Sequence, residues 1–298
     1  MTTVALLGTG RMGAAMARAL AAAGADLILW NRSPGPARAL ADELQASVAT
    51  SPAEAARRAD ICLTMLADEP AVAAVYGSPN GLISAGRPGL VMVDLSTVPP
   101  SAILGLEPSV RASGAGLLDA PVSGSVSTAT AGQLTLMVGG QRDDLERARP
   151  ALEPLARRIF HLGPLGSGAA MKLAVNTVVF GLNGALSEGL VLAERAGIDR
   201  SAAYEVLVES AAGAPYVGYK RSAFVAPEAT PTAFALELAE KDLRLITAFA
   251  DDLGVPVPQA ETNLATIRQA EVSQGVGADL ADVASHLRGQ AQIPGGRV

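Results

Sequence analysis

Cysteine and histidine are almost missing from this chain. Of its 298 residues one is a cysteine, Cys62, and two are histidines, His161 and His286. A single thiol excludes an internal disulfide and any CxxC metal site. Two histidines far apart in sequence leave a His-rich zinc centre without support, so no metal site is expected. Cys62 lies in Asp60-Ile61-Cys62-Leu63-Thr64-Met65, which reads as a buried strand, so its thiol is expected to be packed and inert. A positive balance is missing too. The formal net charge of −6 gives no support to nucleic-acid binding or to a basic membrane-surface role. Met1-Thr2-Thr3-Val4 runs into a strand without a basic leader, so no secretory signal is expected. The apolar run 173–192 is interrupted by Asn176, Asn183 and Glu188, and reads as a buried helix rather than a membrane span. A soluble, cytosolic protein is expected. No repeat at solenoid periods is visible, and aromatic residues make up only 3% of the chain.

What is present is apolar residue, 49% of the total, enough for one large core or two smaller ones. The first half alternates short apolar strands with helical patterns, the signature of a parallel α/β sheet. Strands are expected at 3–7, 26–30, 46–49, 61–66, 91–95, 116–119, 135–138 and 158–162. Helices are expected at 11–23, 36–44 and 52–59. An Asp-led, Arg-ended helical stretch at 143–157 contains Pro150, which predicts a kink or split there. After Gly163-Pro164-Leu165-Gly166 strand signals vanish. Helical periods follow at about 169–195, 200–210, 237–253, 260–272 and 279–286, and 290–298 reads as a loose tail. The expected organisation is a Rossmann-type domain, 1–163, followed by an all-α domain, 164–298.

The first strand ends in Gly8-Thr9-Gly10-Arg11-Met12-Gly13 and opens a helix, the context that turns GxGxxG into a dinucleotide fingerprint. Gly8 permits the tight turn, Gly10 lets a pyrophosphate approach the backbone, and Gly13 allows close helix–strand packing. The helix start supplies free N–H groups and a positive dipole end. At the end of the second strand NAD would call for an acidic residue on its ribose. This chain has Asn31-Arg32-Ser33 instead. Arg32 suits a 2′-phosphate, Asn31 and Ser33 add neutral hydrogen bonds, and Arg38 is a second candidate cation, which favours NADP (NADPH) over NAD. Two later strand ends, Met65-Leu66-Ala67 and Asp94-Leu95-Ser96-Thr97-Val98, should border the nicotinamide. Thr97 is the better contact; Met65 and Leu66 read as simple packing more than as specific contacts.

In Asp119-Ala120-Pro121-Val122-Ser123-Gly124-Ser125, Ser123 and the N–H groups of Gly124 and Ser125 form either an ordinary turn or a concavity for a carboxylate. In Gly168-Ala169-Ala170-Met171-Lys172-Leu173-Ala174-Val175-Asn176, three residues four apart share one helix face. Lys172, among apolar neighbours, suits a general acid/base: protonated, it gives a proton to a carbonyl oxygen; neutral, it takes one from an alcohol. Asn176 would hold the substrate hydroxyl or orient the ammonium, and Gly168 would leave room for substrate or nicotinamide. Lys241-Asp242 reads by pattern as a solvated helix face.

These motifs, GTGRMG at 8–13, NRS at 31–33, DLST at 94–97, DAPVSGS at 119–125, GAAMKLAVN at 168–176 and KDL at 241–243, closely resemble the β-hydroxyacid dehydrogenases. That family includes 3-hydroxyisobutyrate dehydrogenase, tartronate semialdehyde reductase and the glyoxylate/succinic semialdehyde reductases. The match covers nearly the whole chain in the family's order. It implies a Rossmann domain, an all-α domain that dimerises through a long helix, and a catalytic lysine at Lys172. It also implies substrate contacts at Ser123, Gly124 and Asn176 and cofactor contacts at Thr97 and Lys241. Asn31-Arg32-Ser33 is similar to the NADPH-using branch. Thr232-Ala233-Phe234 is similar to the glyoxylate/succinic semialdehyde branch and adds Phe234 to the substrate pocket. Ser125 stands where many members have a second glycine. The implied reaction interconverts a small 3-hydroxy (or 2- or 4-hydroxy) acid and its aldehyde or keto acid, in a homodimer or a dimer of dimers. Two alternatives share the fold: an imine reductase or reductive aminase, which commonly carries Asp or Tyr in place of Lys172, and a non-catalytic binding protein, whose relatives lose the lysine.

Overall fold

Val4, Ala5, Leu6 and Leu7 are all buried, as only a strand covered on both faces can manage. They form β1 (Thr3–Leu7) in a computed structural model that describes residues 2–291. There follow α1 (Arg11–Ala22), β2 (Asp26–Trp30), α2 (Pro34–Leu44), β3 (Ser47–Val48), α3 (Pro52–Arg58), β4 (Ile61–Thr64) and α4 (Glu69–Gly77). Then come β5 (Val91–Asp94), α5 (Pro100–Ala112), β6 (Gly116–Asp119), β7 (Val122–Ser123) and α6 (Val126–Thr130). The sheet is completed by β8 (Leu134–Gly140) and, after α7 (Arg142–Leu152), by β9 (Ala156–Gly163).

Among the described residues these form one nine-stranded sheet, ordered β3-β2-β1-β4-β5-β6-β8-β7 with β9 paired to β8. The pairs from β3 through β6 are parallel, whereas β8 runs antiparallel to β6 and β7. Strand order reverses between β1 and β4, the switch point where ligands bind beyond the strands' carboxyl ends. Alternate residues feed opposite faces. Val4 and Leu6 join Ile61, Leu63, Val91 and Val93 in one core with α1, while Ala5 and Leu7 join Cys62 and Met92 in the other. Cys62 is fully buried and burial pushes its thiol up to about 12, so it is inert as expected.

This first compact unit extends through Lys172, and the second starts at Leu173. The helices here are α8 (Ser167–Arg195, which begins in the first unit), α9 (Arg200–Glu209), α10 (Pro215–Val225), α11 (Leu236–Leu253), α12 (Pro258–Gln274) and α13 (Asp282–Gln290). Leu173, Phe180, Leu243, Ile246 and Ile267 centre one core, and Leu190, Tyr204, Val217 and Phe224 another. The one extended feature among the described residues of this unit is an isolated bridge, Ala235 to Asp279.

Several expectations shift. The helix expected at 143–157 ends at Leu152, followed by a 3-10 turn and a strand from Ala156. Pro150 sits in its last turn, where its missing N–H removes one i to i−4 bond, and the helix ends two residues later. Helices α4, α5, α6 and α10 were not anticipated. Proline and glycine in or beside α5 and α10 mask their periods, whereas α4 starts at an aspartate cap, Asp68 Oδ1 accepting from Ala71 N at 2.9 Å. Gln290 closes α13 rather than opening a tail, and residues 292–298 lie outside those described. By length and composition α8 could cross a membrane. It is not buried all round, since Val178 and Leu192 are 70% and 73% exposed.

Candidate active site

The glycine turn folds as its spacing demands. Gly8 has φ +103, and a Cβ there would lie 2.2 Å from the Met65 carbonyl oxygen. A Cβ on Gly13 would lie 1.9 Å from the Gly8 carbonyl oxygen, so α1 can approach β1 only through glycine. At Gly10 a Cβ would meet no protein atom within 4 Å, so the protein's own packing does not require glycine there. Close passage of a phosphate over its backbone does. Gly10 is the N-cap of α1, its first turn carries no acidic residue, and no side chain caps it. The Thr9 hydroxyl beside it is buried with no hydrogen-bond partner among the described residues. This cradle fits a dinucleotide pyrophosphate.

Asn31 ties the turn to the next strand end: its Oδ1 accepts from Thr9 N at 3.1 Å and its Nδ2 donates to the Ser33 carbonyl at 3.0 Å. Arg32, Ser33 and Arg38 are exposed. A cleft of about 620 Å³ brings together Gly8, Gly10, Asn31, Arg32, Ser33, Met65 and Leu66, with Trp30 and the α4 residues Ala71, Ala74 and Val75 on its walls. Arg11 is exposed and Met12 half-buried on the first turn of α1, and Thr97 is half-buried after β5. Beneath the loop after β4, Leu66 N donates to Ser96 Oγ at 2.9 Å, and Ser96 in turn is held by the buried Asp94.

At the end of β6, Asp119 caps the start of α8. Its Oδ1 accepts from Gly166 N at 2.8 Å and its Oδ2 from Ala169 N at 2.7 Å. Burial raises its pKa against those N–H groups. Gly168 does not provide the room expected of it, since a Cβ there would lie 2.2 Å from the Met137 carbonyl oxygen. Its glycine lets α8 start directly against β8. Ser123 closes β7, half-buried, and Gly124 is exposed. Ser125 is the N-cap of α6 in a capping box: its Oγ accepts from Thr128 N at 3.2 Å and its own N–H donates to Thr128 Oγ1 at 3.3 Å. The Ser125 N–H, expected to receive a carboxylate, therefore serves the helix start, as does its hydroxyl.

Lys172 is half-buried on α8, one turn before the buried Asn176. Asn176 Nδ2 donates to Asp242 Oδ2 at 2.9 Å, and Lys241 Nζ lies 2.9 Å from Asp242 Oδ1. Lys241-Asp242 is therefore not a solvated pair, because Asp242 is only 3% exposed. Phe234 packs on Phe180 with ring centroids 6.3 Å apart, and its N–H donates to Asp279 Oδ2 at 3.0 Å.

Residues 3–163 match the family described as the NAD binding domain of 6-phosphogluconate dehydrogenase, and residues 166–287 match the one described as NAD-binding of NADP-dependent 3-hydroxyisobutyrate dehydrogenase. The chain belongs to the β-hydroxyacid dehydrogenase family. Among similar proteins, the chloroplastic glyoxylate/succinic semialdehyde reductase 2 of Arabidopsis thaliana is 34% identical over 87% of this chain and 72% of its own. The structure of Mycobacterium tuberculosis 3-hydroxyisobutyrate dehydrogenase with L-serine superposes with a TM-score of 0.84 at 31% identity, covering 97% of this chain and 99% of that one. An imine reductase from Pseudomonas sp. shares the fold alone, at a TM-score of 0.65 and 21% identity over 96% and 99% of the two chains. This β-hydroxyacid dehydrogenase is thus an oxidoreductase that acts on the hydroxyl group of hydroxyacids and binds a nicotinamide dinucleotide.

Sequence reasoning passed over the acids that organise this dehydrogenase: Asp94, Asp119 and Asp242. The first two each follow a run of buried strand residues, and a carboxylate ending such a strand needs donors from neighbouring loops. That was the available signal. For Asp242 no local signal existed, since its partner Asn176 is 66 positions away.

Proposed function

We propose that this enzyme uses NADPH to interconvert a small aldehyde or keto acid and the corresponding hydroxy acid, with Lys172 as the general acid/base. The observation that carries the cofactor choice is the end of β2, where Arg32 reaches the cleft that holds Gly8 and Gly10 and no acidic side chain follows the strand. A guanidinium there attracts a 2′-phosphate, whereas a carboxylate would repel it. The dinucleotide supplies or accepts the hydride. Lys172 gives the proton to the carbonyl oxygen in reduction and removes it from the alcohol in oxidation. Asn176, anchored by Asp242, presents the rest of its amide to the substrate hydroxyl. Ser123 and Gly124 receive the substrate carboxylate, Phe234 borders the substrate, and Thr97 and Lys241 touch the cofactor. The exposed apolar residues of α8, Val178 and Leu192 among them, support a homodimer or a dimer of dimers of a soluble enzyme.

The test follows NADPH and NADH consumption with glyoxylate, succinic semialdehyde, methylmalonate semialdehyde, tartronate semialdehyde and a cyclic imine. NADPH and a semialdehyde should give the highest kcat/KM; a clear preference for NADH removes the Arg32 argument, and a preference for the imine removes the carbonyl reading. Lys172→Ala should lower kcat by about a hundredfold or more while NADPH still binds. Near-normal turnover takes Lys172 out of the mechanism.

A further inference from the structure

Asp94 is the last residue of β5 and is 1% exposed. Its oxygens are held by hydroxyl and amide donors. Oδ1 accepts from Ser96 N at 3.0 Å, and Oδ2 accepts from Thr64 Oγ1 at 2.5 Å and from Ser96 Oγ at 3.2 Å. Both hydroxyls pass the hold outward. With its own proton aimed at Asp94, Ser96 Oγ is free to accept from Leu66 N at 2.9 Å. Thr64 likewise spends its proton on the carboxylate, so across the 3.2 Å contact Tyr76 must be the donor. Every donor in this chain points toward an ionised carboxylate.

Protonation would break that order. A neutral carboxyl must itself donate, to Thr64 or to Ser96. Thr64 can turn its proton to the Val93 carbonyl at 3.4 Å. If Ser96 receives the carboxyl proton, its single hydrogen must find another acceptor and its bond to Leu66 N weakens. The groups that face Asp94 are Thr64 on β4, Tyr76 on α4, Ser96 beyond its own strand and Asp119 on β6. Burial pushes Asp94 up to about 6, the Asp119 charge adds to this, and the Thr64 and Ser96 donors oppose it.

Leu66 lines the cleft that carries Gly8, Gly10 and Arg32. We propose that Asp94 is a positioning residue for the dinucleotide: as a carboxylate it holds Ser96 and, through Ser96, the Leu66 N–H, fixing the loops after β4 and β5, and cofactor affinity falls when Asp94 takes up a proton. This rests on the reading that Leu66 and Thr97 border the nicotinamide.

The experiment titrates NADPH and NADH against the whole enzyme between pH 5 and 8, read by the fluorescence of Trp30, which stands in the same cleft. In the wild type the Kd should rise by about fivefold or more on acidification, the equivalent of roughly one hydrogen bond. Asp94→Asn should bind weakly throughout, with that pH dependence gone. Ser96→Ala keeps the acid but cuts the link to Leu66, and should lose the same dependence; it carries the test if Asp94→Asn fails to fold. The 2′-phosphate of NADPH titrates in this range as well, at about 6. Its contribution is common to all three proteins and absent with NADH. A flat wild-type profile, or a wild-type profile retained by either variant, overturns the role of Asp94 alone. No NADPH or NADH binding by the wild type at any pH would overturn the cofactor site with it.

Discussion

This dehydrogenase buries carboxylates in one way at its strand ends and in another among its helices, where even Asp144 of the first unit, on α7, pairs with Arg111 and Arg147. In the first, Asp94 and Asp119 sit at strand ends and are satisfied by hydroxyls and backbone N–H groups. No Lys or Arg among the described residues forms an ion pair with either. In the second, Asp279 is paired with Lys220 at 2.5 Å, and Glu194 with Arg288 and Arg200 at 2.7 and 3.2 Å. The difference follows from the backbone. Strands end with N–H groups free to point at an acid, as does the start of α8, whereas helix interiors consume theirs in the i to i−4 ladder. Glu194 and Asp144, on helices, therefore meet arginines, whereas Asp279, at the bridge before α13, adds Lys220 to the backbone N–H groups of Ala233, Phe234 and Ala281. Titration behaviour follows. Burial raises Asp94 and Asp119 and the neutral donors only partly reverse it. Burial also raises Asp279 and Glu194, but Lys220 with the Ala281 and Phe234 N–H groups at Asp279, and the two arginines at Glu194, more than reverse it, so both end lowered.

The sharpest way to break this contrast is Lys220→Met. It leaves Asp279 buried without its cation and should cost the helical unit about 3–5 kcal/mol in urea unfolding followed by circular dichroism. A loss no larger than that of the first-unit variants would mean that the cation is dispensable. Asp119→Asn should cost less, about 1–3 kcal/mol, because an amide puts a donor against one of the two backbone N–H groups. Asp94→Asn should cost least, about 1 kcal/mol, since the Thr64 and Ser96 hydroxyls can reverse and accept. Thermal melts rank these two directly.

The smallest effect is the pH response, and its sign differs between the units. Asp279 and Glu194 have lowered folded pKa values, so their stabilisation is complete above the unfolded carboxylate range of about 4 and is lost as pH falls through the folded values. Asp94, raised to about 6, does the reverse. Between about 6 and about 4 the folded state holds a proton that the unfolded state has released, so acidification over that window adds stability to the first unit. Trp30, the only tryptophan in the chain, reports on the first unit. In an acid titration at fixed urea, the far-ultraviolet signal of the helices should begin to fall at a higher pH than the Trp30 signal. Coincident transitions would show that the two modes of burial do not separate in practice.

Much of the site was legible before any coordinates. The turn from Gly8 to Gly13 is a local device, because Gly8 and Gly13 answer contacts within one strand–turn–helix unit or with the chain just beyond the neighbouring strand. The Arg32 strand end was legible for the same reason. Gly168 was misread because its spacing from Lys172 spoke of a shared helix face, while the atom that demands glycine belongs to Met137 on β8. Ser125 was read for its backbone N–H, which its own helix claims through Thr128. Helices α5 and α10 escaped because proline and glycine blur a 3.6-residue period.

The sequence by itself determined the alternation of strands and helices, the pyrophosphate cradle, the Arg32 strand end beside it and the family to which the chain belongs. These are written in short-range patterns, and steric rules convert them into local structure. Tertiary structure alone decided which acids are buried and what holds them: Asp94 by residues on β4 and beyond β5, Asp119 by the start of α8, Asp242 by Asn176. A carboxylate's environment is set by donors distant in sequence, and no local period records them.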